Sequence, residues 1–267
     1  MKSSARYLAV GVAGMAAIPL LAGCTSSDPQ PRSPFEGAEL ASSDRRLTIT
    51  TDNGLRLRPT DGDRIRVDPA VSPDWSRDGR TQVLDLSCHG PDDQPEDGSD
   101  DRFEDGSDHR SDRPCPRMPE IEVPAGTAVT VTARNAGIDV AGVTGSLDLT
   151  TVNGDVTVAG SGNGGAPVRL ATRNGSVHAT DVSASALRAR TVNGDVTLGC
   201  ATAPHRISGR TVNGSVDVAV PHDSPAYRVT ATTDHGRPLI SVPTGSGRPD
   251  RTMALATVNG DVRADRD

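Results

Sequence analysis

Thr191-Val192-Asn193-Gly194-Asp195-Val196-Thr197 is the stretch whose reading decides the fold. Near-copies stand at residues 151–157, 211–217 and 257–263. Looser copies begin at Thr172 and Thr233, and a degenerate one begins at Ala133. Taking the Asn of each copy as zero, the centres are Asn135, Asn153, Asn174, Asn193, Asn213, His235 and Asn259, separated by 18, 21, 19, 20, 22 and 24 residues. Gly follows the centre directly as Gly154, Gly175, Gly194, Gly214, Gly236 and Gly260. Self-similarity at such a period marks a repeat architecture, one supersecondary unit per copy.

The residues around each centre alternate. At minus six and minus four stand pairs such as Val129 and Val131, Leu147 and Leu149, and Val168 and Leu170. At minus two stands Ala133 and then a Thr in every later copy; plus three and plus five carry Ile138 and Val140, Val156 and Val158, or Val196 and Leu198. The positions between are mostly polar or charged, so each copy reads as strand, corner, strand with period two. An array of β-hairpins fits this pattern, because Asn-Gly is a strong hairpin signal. A parallel β-solenoid fits it better. A hairpin array needs no identical residues at matching positions, whereas stacked coils set each Asn and Thr on its own copy above and below. The expectation is therefore an all-β solenoid of about seven to nine coils, with Gly supplying the positive φ of a sharp corner. Stacked in sequence order, the plus-two residues run Asp155, Ser176, Asp195, Ser215, Arg237, Asp261, with no two acids adjacent.

Working outward toward the N-terminus, Leu47, Ile49, Thr51, Asn53 and Gly54 repeat the pattern, and Leu55 and Leu57 follow one residue early, as in a variant first coil. Arg64–Val67 and Val83–Leu86 read as further short strands, and Trp75 is expected to plug an open end of the core. Toward the C-terminus, Arg263, Asp265, Arg266 and Asp267 would guard the last edge against edge-to-edge pairing.

The chain opens as an export signal. Lys2 and Arg6 precede an apolar run from Tyr7 to Leu20, too short to span a bilayer. Leu21-Ala22-Gly23-Cys24 resembles a bacterial lipoprotein signal, with Cys24 as the lipidated residue, a palmitate-type anchor. The expected organisation is a signal peptide at 1–23, a flexible tether at 24–44 rich in Ser, Pro and Asp, and one β-solenoid domain at 45–267. Within that domain, residues 89–114 carry ten acids against three Arg, a local surplus equal to the formal net charge of −7. The segment reads as a solvated, disordered insertion rather than a calcium loop, since its acids lack calcium-loop spacing. Cys88 and Cys115 bracket it and are the preferred disulfide pair, although three available cysteines allow other pairings. Cys200, after a core strand, reads as a small buried apolar residue.

Composition narrows the function classes. The single Lys, Lys2, leaves with the signal, so the mature chain has no Lys to act as base or Schiff-base former. An acidic chain with few aromatics and no basic patch argues against nucleic acid. The six His are scattered without metal-ligand spacing, and neither a metal nor another cofactor is expected. The best enzymatic case is a glycan-cleaving β-helix using Asp155 and Asp195, two coils or about 9.6 Å apart. Both occupy a repeated turn position, which explains Asp without catalysis.

The T-x-N-G-D-V repeats behind a lipoprotein signal resemble the bacterial "putative adhesin" family of β-strand-repeat proteins, over about residues 45–265. The resemblance implies a β-solenoid placed outside the cytoplasm and carries no catalytic residues. The acidic segment looks like an insertion relative to that pattern. The expectation is a non-enzymatic, lipid-anchored protein on the outer face of the cytoplasmic membrane, in a high-GC Gram-positive cell. Its partners would be the membrane through its anchor, and another envelope protein or a cell-wall polymer. An accessory subunit of an envelope-stress sensor or transporter, and a glycan-active enzyme, are the alternatives.

Overall fold

Alternation and the Asn-Gly corner act together in each repeat. The period-two apolar residues turn one face of a short strand inward, and the corner redirects the chain so that the next strand faces it across a shared core. The computed structural model describes residues 45–71, 73–87, 118–245 and 250–267. In chain order the strands are β1 (Arg46–Thr51), β2 (Leu55–Thr60), β3 (Arg66–Val67), β4 (Asp74–Asp78), β5 (Thr81–Asp85), β6 (Glu120–Pro124) and β7 (Ala128–Ala133). There follow β8 (Ile138–Ala141), β9 (Leu147–Thr150), β10 (Val156–Ala159), β11 (Pro167–Ala171), β12 (Val177–Val182), β13 (Ala186–Arg190) and β14 (Val196–Cys200). The series ends with β15 (Arg206–Arg210), β16 (Val216–Val220), β17 (Arg228–His235), β18 (Pro238–Ile240), β19 (Thr252–Asn259) and β20 (Val262–Arg266).

Two ten-stranded sheets result. Sheet A has the order β17-β19-β15-β13-β11-β9-β7-β1-β5-β4, and sheet B the order β18-β20-β16-β14-β12-β10-β8-β2-β6-β3. The strands flanking a corner lie in different sheets, so the hairpin alternative is excluded. Each strand instead pairs in parallel with its copy in the next coil, for example Leu187 with Ile207 and Val196 with Val216. Among the described residues only β3 and β4 pair antiparallel, at one end of the stack, where β4 sets the half-buried Trp75 opposite Leu84.

The core lies between the sheets. Val129, Leu147, Val168, Leu187, Ile207 and Met253 at minus six are buried, as are Ile138, Val156, Val177, Val196, Val216 and Val262 at plus three. Burying a Val, Leu or Ile side chain contributes about 1.5–3 kcal/mol, and here each is covered by the copies above and below. The exception is the copy centred on His235, whose Val229, Ala231 and Ile240 are only half-buried and whose Leu239 is 53% exposed.

That exception reflects a stacking order that differs from the sequence order. The last repeat lies inside the stack: β19 pairs with both β15 and β17, and β20 with both β16 and β18. Residues Arg263, Asp265, Arg266 and Asp267 therefore do not form a final edge, and their expected guarding role is wrong. The reason lies in the copies themselves. The 257–263 copy keeps Met253, Leu255, Thr257 and Val262, which pack on two sides. The copy around His235 has Pro238, which cannot donate a ladder hydrogen bond and suits an edge strand. The same exchange occurs at the other end. The β1–β2 coil, expected to be first, sits between β5–β6 and β7–β8. Of the short strands expected beside it, the first shrinks to Arg66–Val67 and the second runs Thr81–Asp85.

Candidate functional site

The repeated corner is the most ordered chemical feature of the surface. Asn135, Asn153, Asn174, Asn193, Asn213 and Asn259 stack side by side. Each Nδ2 donates to the Oδ1 of the preceding Asn, at 3.2 Å for the first pair and 2.8 Å for the others. His235 continues the row, with its backbone paired to Asn259. Beneath it the buried Thr row is satisfied in the same way. Thr172 Oγ1 donates to Gly154 O, Thr191 Oγ1 to Gly175 O, Thr211 Oγ1 to Gly194 O and Thr257 Oγ1 to Gly214 O, each at 2.8 Å. Each hydroxyl gives a corner carbonyl the donor that Val could not, which explains why Thr and not Val recurs at minus two. Gly194 has φ +138, and a Cβ there would lie 2.2 Å from Gly175 O, so the corner needs Gly for both its backbone and its space.

The plus-two row gains regularity from the exchanged coils. With the last repeat inserted before the one centred on His235, the row reads Asp155, Ser176, Asp195, Ser215, Asp261, Arg237. Each side chain accepts a hydrogen bond from the backbone N–H of the next residue in the row. Ser176 N donates to Asp155 Oδ1 at 2.7 Å, Asp195 N to Ser176 Oγ at 3.2 Å and Ser215 N to Asp195 Oδ1 at 2.8 Å. Asp261 N then donates to Ser215 Oγ at 3.3 Å, and Arg237 N to Asp261 Oδ1 at 2.8 Å. The carboxylates considered for glycan cleavage are thus acceptors in the wall of the solenoid.

Cys200 is the one cysteine among the described residues, and it is free and buried. Burial pushes its thiol up to about 12, with Asp267 adding to the rise. Cys24, Cys88, Cys115 and the acidic segment at 89–114 lie outside the described residues. Among the described residues, no group of three His, Cys, Asp or Glu could hold a metal ion.

Sequence reading missed the outer face of sheet A. There Arg169, Arg188, Arg190 and Arg210 line a shallow groove of about 450 Å³, together with Asp148, Thr150, Ala171 and Ser208. Arg169 stands opposite Arg188, and Arg190 opposite Arg210. The signal was present as Arg at minus five and minus three in neighbouring copies. It went unread because those positions were taken together as polar.

Two solved structures are similar to this chain. One is a "putative cell adhesion protein" from Clostridium sporogenes ATCC 15579, with 9% identity, a TM-score of 0.38, and coverage of 84% of this chain and 94% of that one. The other is a "putative adhesin" from Bacteroides fragilis NCTC 9343, with 13% identity, a TM-score of 0.41, and coverage of 85% and 94%. No curated protein matches the chain. The profile described as Toastrack DUF4097 matches residues 125–264, more than half of the sequence and nearly all of the regular repeats. This chain belongs to the Toastrack DUF4097 family.

Proposed function

We propose that this chain is a lipid-anchored, extracytoplasmic β-solenoid that acts without catalysis, as an adhesin or envelope scaffold making contacts through the outer faces of its sheets. The observation that carries this reading is the use of Asp155, Asp195 and Asp261. Each holds the backbone of the neighbouring coil, in a row that continues through Ser176 and Ser215. A catalytic pair would need one special environment that pushes two carboxyls apart in pKa, and a repeated row treats its members alike. The Leu21-Ala22-Gly23-Cys24 signal supplies the anchor in this reading.

Two measurements test it. Metabolic lipid labelling should mark the wild type and not the Cys24→Ala variant, and the protein on intact cells should be open to added protease. An unlabelled wild type would sink the anchor, and one protected from protease the placement. Purified protein should release no reducing ends from cell-wall glycans; turnover that is lost in the Asp155→Asn, Asp195→Asn, Asp261→Asn triple variant would establish an enzyme instead.

A further inference from the structure

We infer that the arginine groove on the outer face of sheet A binds an anionic envelope polymer whose backbone repeats a phosphodiester. The inference rests on the extracytoplasmic reading above and names the chemistry of the contact. Arg169 and Arg188 are in-register neighbours on β11 and β13, and Arg190 and Arg210 on β13 and β15. Neighbouring strands lie about 4.8 Å apart. Like charges directly opposite each other destabilise a sheet; elsewhere in the described strands the one such pair is Asp74 opposite Asp85, on the strands that end the stack. Asp and Ser alternate along the corner. On sheet B, Asp217 lies opposite Arg263, and Arg56 lies between Glu120 and Asp139. Two stacked arginine pairs in one patch therefore work against stability, which points to a ligand.

Internal neutralisation is slight. Among the described residues Asp148 is the one carboxylate lining the groove, and its oxygen is 3.9 Å from Arg169. Arg188, Arg190 and Arg210 form no ion pair among the described residues. The pairs are offset by one strand, so the four guanidinium groups make a diagonal stripe across three coils. Thr150 and Ala171 flank the stripe on one side and Ser208 on the other, small side chains that leave room for a chain to lie along it. A linear polyanion matches the stripe, because it offers one charge after another. Two stacked guanidinium forks can each take one of the two non-bridging oxygens of a phosphodiester, giving charge-assisted contacts on both sides. No aromatic side chain among the described residues lines the groove, so these offer no platform for stacked bases, whereas a polyol or sugar phosphate needs none.

The test uses the full chain, purified in detergent, titrated with poly(glycerol phosphate) at low and moderate salt. The wild type should bind, with affinity falling steeply as salt rises. The Arg188→Gln, Arg190→Gln, Arg210→Gln triple variant should bind about tenfold more weakly or worse, with a shallower salt dependence. Its dichroism spectrum should be unchanged and its Tm no lower, because the substitutions relieve repulsion. Arg263→Gln, on the other sheet, should leave affinity as it was. Failure of the wild type to bind, or equal binding by the triple variant, overturns the inference. So does binding of polygalacturonate, a polyanion without phosphate, as tight as that of the phosphodiester polymer. If lipid is found on Cys24 and binding is absent, the inference falls alone. If the protein on intact cells is protected from added protease, the envelope is no longer the source of the polymer, and the inference falls with the reading beneath it.

Discussion

Adding a single carbon to Gly194 sets a Cβ 2.2 Å from the Gly175 carbonyl, in a backbone with φ +138. Gly194→Val should therefore cost about 3 kcal/mol or more in chemical denaturation. Gly160→Ala is the control: φ is +52, but no atom lies within 4 Å of the added carbon, so about 1 kcal/mol is expected. Equal losses at the two sites would refute the steric account of the corner. Along the plus-two row, Asp195→Asn keeps an acceptor for Ser215 N and should be near neutral, whereas Asp195→Ala should lose about 0.5–1.5 kcal/mol. Asp217 behaves differently. Burial pushes its carboxyl above the ordinary range; Arg263 opposes this, and Asp195, Asp265 and Asp261 add to the rise. The folded state thus holds the proton more tightly than the unfolded one. The contribution of Asp217 favours folding below the ordinary carboxyl pKa and is withdrawn as pH rises through the raised value. Asp217→Asn should match the wild type in acid and have the higher Tm at neutral pH; a lower Tm at neutrality would contradict this. Cys200, with its thiol held up to about 12, should resist alkylation in the native protein at neutral pH and react in denaturant.

Between neighbouring coils, pairing decides the order of the stack, and that order can be tested directly. Ser208 is in register with Ala254, and Ala254 with Thr230. Cysteines placed at 208 and 254 should oxidise to a disulfide that peptide mapping detects, and cysteines at 208 and 230, two strands apart, should not. The reverse result would restore the sequence order. Strand, corner and buried face were all legible in the chain, because Leu187, Ala189, Thr191, Asn193 and Val196 spell out period two around an Asn-Gly turn. The order of coils was not. Copies that share a pattern can each pair with any other, and the choice depends on which copy tolerates an open face. Val229, Ala231 and Pro238 tolerate it better than Met253, Leu255 and Val262, a comparison that becomes visible only once two-sided packing is known. The arginine stripe was hidden for a related reason. Arg190 and Arg210 are separated by a full repeat and become neighbours only when β13 and β15 pair.

Across the whole solenoid, the two outer faces differ in charge. Sheet B balances its charges across strands, while sheet A gathers arginines over β11, β13 and β15. Far-UV dichroism of the purified chain should be dominated by β-structure; a strongly helical spectrum would be incompatible with the two sheets. The exchanged coils carry a mechanical consequence. A simple stack under tension unzips from its tip, surrendering one ladder at a time. Here load arriving at β20 from its C-terminal side reaches a strand clasped between β16 and β18, and then β19, clasped between β15 and β17. Drawing out that coil must rupture the ladders on both of its flanks together. Load arriving at β1 from its N-terminal side likewise meets a strand held by β5 and β7. The fold is thereby latched against pulling at both ends of its sheets.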